Sequence, residues 1–350
     1  MVQRRKTRQI YLGNVGIGGD NPISVQSMTK TDTRDISATV HQIQSLESAG
    51  CEIIRLAVPD RDAACSLGAI KKAVNIPIVA DIHFDWRLAL EAIKQGVDGL
   101  RLNPGNIGAH WKVKEVVLSA REHNIPIRIG VNAGSLEKKL LQKYGHPTPE
   151  ALLESAELHI SILEKLNFEN IKVSLKASNV LKTIESYRLF AHKYDYPLHI
   201  GISEAGPRFT GMVKSAVGLG ILLEQGIGDT VRVSLTAPPE EEVRVAYEIL
   251  KSLALRRRGP DIISCPTCGR CRIDLQPLAQ KVEESMKAVT RPISVAVMGC
   301  VVNGPGEARE ADFGIAGGKG MGIVFKKGEI VRKVPEDELL QALMELINKE

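Results

Sequence analysis

The sequence predicts an α/β protein in two parts: a closed (β/α)8 barrel, the TIM-barrel arrangement, over residues 1–258, and a smaller α+β unit over residues 259–350. Three observations lead there. Between about residues 22 and 255, short β-branched runs alternate with amphipathic helical stretches, the pattern of a parallel α/β architecture. Eight such units fall within about 235 residues, near the roughly 250 of a complete barrel. At 350 residues the chain also exceeds the roughly 250 to 300 at which single cores stop growing, so a second unit is expected. A doubly wound open sheet is the rival arrangement for the first part.

The strand windows, in order, are 23–28, 52–56, 78–82, 99–102, 127–131, 171–175, 198–202 and 231–235. Each is followed by a helical pattern, clearest over 151–166, 179–194 and 240–255. Gly226 and Gly228 close the helix before the last strand. Pro238 and Pro239 open the last barrel helix, where proline in the first turn removes no hydrogen bond. That helix runs out at Arg256, Arg257, Arg258, Gly259 and Pro260, a charged and Gly-Pro-terminated stretch that reads as a boundary. Beyond it the pattern shows two strands, 293–298 and 322–325, and a closing helix from about Pro335.

Composition narrows the function classes. The chain is 43% hydrophobic and 25% charged, and no apolar run reaches the roughly 20 residues needed to span a bilayer, which excludes a transmembrane protein. The N-terminus is basic at Arg4, Arg5, Lys6 and Arg8, but residues 13–20 lack the apolar core of an export signal, so a cytoplasmic location is expected. A net charge of +5 suits nucleic acid, an anionic substrate or an acidic partner alike. The 256–258 arginine run is short and lacks interleaved aromatics, so it reads as a solvated linker and no nucleic-acid partner is expected. The glycine-rich segments 16–20 and 314–322 lack the strand, Gly-x-Gly-x-x-Gly spacing and helix of a dinucleotide loop.

In a (β/α)8 barrel the reacting groups project from the C-terminal strand ends, and residues two apart on a strand share a side. By this rule Arg55, Asp81, His83, Arg101, Asn103, Arg128, Asn132, Ser174, Lys176, Glu204, Arg232 and Ser234 gather at one mouth. Arg55, Arg101, Arg128, Lys176 and Arg232, with His83, would repel one another strongly in a site with little solvent unless an anion joined them. Arginine suits phosphate in particular, because its planar fork donates two hydrogen bonds at once. A lone strand-end arginine is more often solvated or salt-bridged, and it is the recurrence that argues for a site.

Six cysteines stand at 51, 65, 265, 268, 271 and 300, four of them in the last quarter of the chain. Cys51 and Cys65 read as small buried hydrophobes. Cys265-Pro266-Thr267-Cys268 is a spacing that lets two thiolates meet one metal or cluster, and alone it is also compatible with structural zinc held by 265, 268, 271 and 300. Cys300 follows an apolar strand, and the turn at Asn303-Gly304-Pro305-Gly306 is placed to bring Glu307 back beside it.

Ser264-Cys265-Pro266-Thr267-Cys268-Gly269-Arg270, together with Met298-Gly299-Cys300-Val301-Val302-Asn303-Gly304-Pro305-Gly306-Glu307-Ala308, resembles the cluster motifs of the 4-hydroxy-3-methylbut-2-enyl diphosphate synthase family. The likeness extends to Ser24-Val25-Gln26-Ser27-Met28-Thr29 and to His199-Ile200-Gly201-Ile202-Ser203-Glu204-Ala205-Gly206, so it spans nearly the whole chain. It implies a 4Fe-4S cluster held by Cys265, Cys268, Cys300 and Glu307. A carboxylate is a harder, more easily displaced ligand than a thiolate, which would let one iron open to substrate. Cys271 departs from the three-cysteine pattern and would complete a ferredoxin-like Cys-x-x-Cys-x-x-Cys run.

The resemblance further implies 2-C-methyl-erythritol 2,4-cyclodiphosphate as substrate, its diphosphate held by Arg55, His83, Arg101, Arg128, Asn132, Lys176 and Ser234. Strand parity adds Arg232. Glu204, on the segment matching the family's acidic residue, is the candidate acid/base. The implied reaction is a two-electron reductive ring opening with loss of a hydroxyl as water, fed by flavodoxin or ferredoxin, since the chain shows no flavin or nicotinamide site. A head-to-tail homodimer is implied as well, with each cluster unit serving its partner's barrel. The connectivity agrees, for the last barrel helix runs about 24 Å back from the mouth before the second unit begins. The rivals are a non-redox barrel lyase or transferase on a phosphorylated substrate with structural zinc, and a nucleic-acid module built on a zinc ribbon.

Overall fold

In the computed structural model, which describes residues 2–300 and 308–349, the first ordered element is a hairpin of β1 (Ile10–Leu12) and β2 (Val15–Ile17). It turns at Gly13, whose φ of +54° favours glycine. The sequence reading missed this hairpin because three-residue strands are too short to show a period. Its apolar side chains Ile10, Leu12 and Ile17 pack on Ile53 and Val79, closing one end of the barrel that follows. The basic N-terminal arm is bonded to that barrel: Arg4 pairs with Asp229 at 3.0 Å, Arg5 donates to Tyr196 O at 2.7 Å, and Arg8 pairs with Asp195 at 2.7 Å.

The barrel elements are β3 (Ser24–Met28), α1 (Ile36–Ala49), β4 (Ile53–Ala57), α2 (Arg61–Ala73), β5 (Ile78–Asp81), α3 (Trp86–Lys94), β6 (Gly99–Leu102), α4 (Pro104–Ile107), α5 (His110–Glu122), β7 (Ile127–Asn132), α6 (Lys138–Tyr144), α7 (Pro149–Glu164), β8 (Ile171–Lys176), α8 (Val180–Lys193), β9 (His199–Ile200), α9 (Arg208–Glu224), β10 (Thr230–Val231) and α10 (Pro239–Ser252). All eight strands run parallel in the order β8-β7-β6-β5-β4-β3-β10-β9, and a parallel bridge from Val173 to Leu198 closes the ring. Several helices start where a side chain satisfies a free amide: Asp35 accepts from Ala38 N before α1, Asp60 from Ala63 N before α2, Thr148 from Ala151 N before α7 and Asn179 from Lys182 N before α8.

Alternation along the strands separates two environments. Ile54, Leu56, Ile78, Ala80, Ile127, Ile129, Ile171 and Val173 belong to the large core shared with the helices. The opposite parity points into the barrel. There Gln26, Asp81, Arg101, Arg128, Lys172, Lys176 and His199 are all buried, where barrels ordinarily carry layers of Val, Ile and Leu. Only the end closed by the hairpin is apolar. The last two strands are shorter than the 198–202 and 231–235 windows, and at Gly201 an added Cβ would lie 2.4 Å from Arg232 O and 2.7 Å from Lys176 Nζ, a close approach that glycine allows.

The chain divides into two compact units between Arg256 and Arg257. Arg256 is no solvated linker residue, since its guanidinium pairs with both carboxylate oxygens of Glu52 at 2.7 and 2.9 Å. The second unit holds a five-stranded mixed sheet of β11 (Asp261–Ser264), β12 (Ser294–Met298), β13 (Phe313–Gly317), β14 (Met321–Lys326) and β15 (Glu329–Pro335) in that order, with α11 (Leu275–Met286) and α12 (Leu339–Asn348). The sequence reading found two of these strands. It missed β11 and β15, whose mostly exposed faces carry little apolar pattern, and the glycine-containing β13. Cys51 is buried, and burial pushes its thiol up to about 12, whereas Cys65 is exposed on α2 and is no core residue. No helix among the described residues is long and apolar enough to cross a membrane.

Candidate active site

The parity that makes the barrel interior polar also carries its side chains to the mouth. A cavity of about 860 Å³ opens at the C-terminal strand ends, and Arg55, His83, Arg101, Arg128, Asn132, Lys176, Glu204, Arg232 and Ser234 all line it. Every barrel residue singled out in the sequence is therefore brought to one place. Glycine permits the crowding at one point: a Cβ on Gly130 would collide with the Arg101 guanidinium, whose Nη2 donates to Gly130 O at 2.9 Å. Asn103 braces the same peptide, accepting from Gly130 N at 2.8 Å and donating to Gly130 O at 3.0 Å.

Asp81 is the electrostatic centre. Its Oδ1 accepts from Arg101 Nη1 at 3.1 Å, and its Oδ2 lies 3.6 Å from Arg55 Nε and 3.7 Å from His83 Nε2. Burial would push this carboxyl up, but Arg55, the His83 hydrogen bond, Arg101 and Arg128 outweigh it and hold Asp81 far below the usual carboxylate range. The cations carry the opposite strain. Burial, eased by Asp81 and reinforced by Arg232 and Arg101, pulls Arg55 down to about 9. Arg128 and Lys176 are likewise lowered, first by burial and then by their fellow cations. Arg128 is 4% exposed, and its Nε and Nη1 have no hydrogen-bond partner among the described residues. A bound dianion would supply the missing acceptors and relieve the repulsion together.

Two charged cavity residues escaped the sequence reading. Glu242, on α10, is 2% exposed; it accepts from Leu235 N at 3.0 Å and lies 3.4 Å from Lys30 Nζ and 3.9 Å from Arg232 Nη2. It stands in the first turn of an acidic helix start, Glu240-Glu241-Glu242, where a carboxylate reads as a partner of the helix dipole. Lys30 lies beyond the end of β3 and also donates to Leu235 O at 3.1 Å. Its position two residues past the end of β3 was the available signal. Glu204 has a φ of +51°, a left-handed conformation costly for a residue with a Cβ and concentrated at functional sites.

In the second unit, parallel pairing sets Ser264 beside Val297, so the C-terminal ends of β11 and β12 present Cys265 and Cys300 on the same edge. Gly299 N donates to Cys265 Sγ at 3.4 Å. Cys268 is exposed, and its thiol is lowered by hydrogen bonds from the Arg270 backbone and side chain. Cys271 Sγ instead donates to Ile273 O at 3.2 Å and packs beside Gly299. Glu307 lies outside the described residues, and among the described residues no three metal-ligating side chains are gathered at one point.

A parallel eight-stranded barrel with a charged interior, followed by a separate cysteine-bearing unit, defines a barrel enzyme with an appended redox or metal module. The chain belongs to the GcpE family: the GcpE TIM-barrel domain matches residues 7–247 and the GcpE protein C-terminal domain matches residues 261–349. It is 64% identical to a Thermodesulfovibrio yellowstonii protein over 349 residues, covering 100% of both chains. It is 63% identical to one from Geobacter sulfurreducens, covering 99% and 98%, and 57% identical to one from Clostridium perfringens, covering 99% of each. All three are named 4-hydroxy-3-methylbut-2-en-1-yl diphosphate synthase (flavodoxin). Among solved structures, dihydropteroate synthases from Stenotrophomonas maltophilia (TM-score 0.51, 11% identity, 71% of this chain and 97% of that one) and Yersinia pestis (0.50, 12%, 70% and 98%) share the barrel fold alone.

Proposed function

We propose that the chain converts 2-C-methyl-D-erythritol 2,4-cyclodiphosphate to (E)-4-hydroxy-3-methylbut-2-enyl diphosphate, as an iron–sulfur oxidoreductase fed by flavodoxin. The observation that carries this reading, beside the full-length relatives so named, is the mouth at which Arg55, Arg101, Arg128, Lys176, Arg232 and His83 converge, with Asp81 and Glu242 as the buried carboxylates among them. Arg55, His83, Arg101, Arg128, Asn132, Lys176, Arg232 and Ser234 take the diphosphate, with arginine forks matching its oxygens. The reaction breaks the carbon–oxygen bond that closes the ring and expels a hydroxyl as water, consuming two electrons and two protons. Glu204, held in a left-handed turn on the cavity wall, passes a proton at the reacting carbon.

The donor set of the second unit fits a 4Fe-4S cluster: Cys265 and Cys300 follow the C-terminal ends of neighbouring strands, Cys265 Sγ already accepts an amide hydrogen bond, and hydrogen bonds from Arg270 lower the Cys268 thiol. Cys265, Cys268, Cys300 and Glu307 would hold it, and Cys271, spent on a backbone carbonyl, would not. When bound, the cluster supplies single electrons and a Lewis acid. Cys271→Ser should therefore retain iron, sulfide and activity, and Cys300→Ser should lose all three. Loss of iron from the Cys271 variant alone would sink this ligand assignment.

The reading includes a head-to-tail homodimer in the cytoplasm, each cluster unit serving the partner's barrel. Connectivity supports it, because α10 spans 14 residues, about 21 Å, and returns the chain to the face opposite the mouth. The whole reading is tested by anaerobic purification and turnover. Brown protein with iron and sulfide in equal amounts, making the hydroxybutenyl diphosphate from reduced flavodoxin, is the expected result. Colourless protein with one zinc and no reductive turnover would favour the non-redox lyase instead.

A further inference from the structure

Behind the mouth, one buried histidine joins two loops that are far apart in sequence. His159, on α7, is 2% exposed. Its Nδ1 accepts from Gly105 N at 3.1 Å, and its Nε2 lies 2.7 Å from Glu137 Oε1, which also accepts from Ser155 Oγ at 3.0 Å. An amide N–H can only donate, so Nδ1 is the bare nitrogen and the ring hydrogen sits on Nε2, beside the carboxylate. Burial would push the Glu137 carboxyl up, yet the His159 and Ser155 hydrogen bonds hold it low, as an ionised partner.

Gly105 belongs to α4, directly after the strand-end residue Asn103, and Glu137 follows the turn 133–135 at the end of β7. Asn103 and Asn106 on the first loop, and Asn132, Ala133, Gly134 and Ser135 on the second, line the cavity. Glycine at 105 is required for the approach: an added Cβ would lie 2.6 Å from His159 Cε1. Hydrogen-bonded to Gly105 at Nδ1 and held 2.7 Å from Glu137 Oε1 at Nε2, the planar ring stands as a rigid spacer between the two loops.

We infer that His159 is a positioning residue, which through Gly105 and Glu137 sets the distance between the two mouth loops and so the width of the diphosphate cup. It touches no substrate. The inference rests on the proposed site, and the experiment separates the two. Substrate binding to the intact protein is measured by calorimetry for wild type, His159→Phe, His159→Gln and Gly105→Ala, with hydrogen–deuterium exchange over residues 103–107 and 133–137. Losing a hydrogen bond of ordinary net worth should weaken the cyclic diphosphate roughly 3- to 10-fold in His159→Phe. Both peptides should exchange faster, although neither contains the changed residue. His159→Gln, whose amide accepts at one end and donates at the other, should recover most of the affinity. Gly105→Ala, with its folding checked by thermal melting, should repeat the His159→Phe effect. Wild-type protein that does not bind the cyclic diphosphate overturns the site reading. Wild type that binds, with His159→Phe and Gly105→Ala binding equally well or either peptide unprotected to the same degree as before, overturns this inference alone.

Discussion

Asp81 shows how much one carboxylate can decide. It is 5% exposed at its side chain and meets Arg55, Arg101 and His83 within 3.7 Å, so without it these three would face one another with no carboxylate between them. Its folded pKa is depressed, and its stabilisation is therefore complete above the unfolded value near 3.9 and is lost only as pH falls through the lower folded value. Asp81→Asn should cost about 3 kcal/mol at pH 7, the usual penalty for orphaning buried charge, and the gap to wild type in urea melts should narrow below about pH 4. An equal gap at pH 3 and pH 7 would refute the role. Arg55 offers a second test at this scale. Burial lowers it to about 9, and a bound anion pulls it back up, so at pH 9 diphosphate binding should take up protons and its affinity should fall as pH rises further. Calorimetry in buffers of different ionisation enthalpy measures the uptake; none at pH 9 would mean that Arg55 stays fully charged without ligand.

At the scale of elements, the barrel separates stability from function along its axis. The β1–β2 hairpin packs Leu12, 2% exposed, against Ile17, Ile53 and Val79 at the N-terminal strand ends, while the cations occupy the other end. Leu12→Ala should thus lower stability by roughly 2 to 5 kcal/mol and leave substrate affinity within about twofold. A variant that melts normally but binds poorly would contradict this division. The hairpin escaped the sequence reading because its strands are too short for a period of two to register, whereas the five-residue β4, with Ile54 and Leu56 facing the helices and Arg55 facing the mouth, was legible from alternation alone.

The whole molecule is two units, divided after Arg256, whose proposed chemistries meet only when a cluster reaches a barrel mouth. The homodimer reading makes a sharp prediction. Mixing Glu204→Ala chains with Cys300→Ser chains, each inactive alone, should restore up to about half of normal activity per mixed dimer, because exchange between partners leaves one site with both parts intact. If each cluster served its own barrel, confirmed mixed dimers would remain inactive.

Period and spacing indicated eight strand–helix units, with a closed barrel preferred to an open sheet, and the convergence of Arg55, Arg101, Arg128, Lys176 and Arg232, because strand parity is local and the barrel rule converts it into position. The same local logic limited the reading of the second unit, where exposed strands such as β15 bury little and so leave no apolar pattern. What only the tertiary structure decided is which groups meet across the chain. Glu242 came to Lys30, Arg256 came to Glu52, and His159 came to Gly105, from 54 to 212 residues away. A helix acid, a linker arginine and a core histidine look ordinary in sequence. Their partners are fixed by closure of the ring, which no local period encodes.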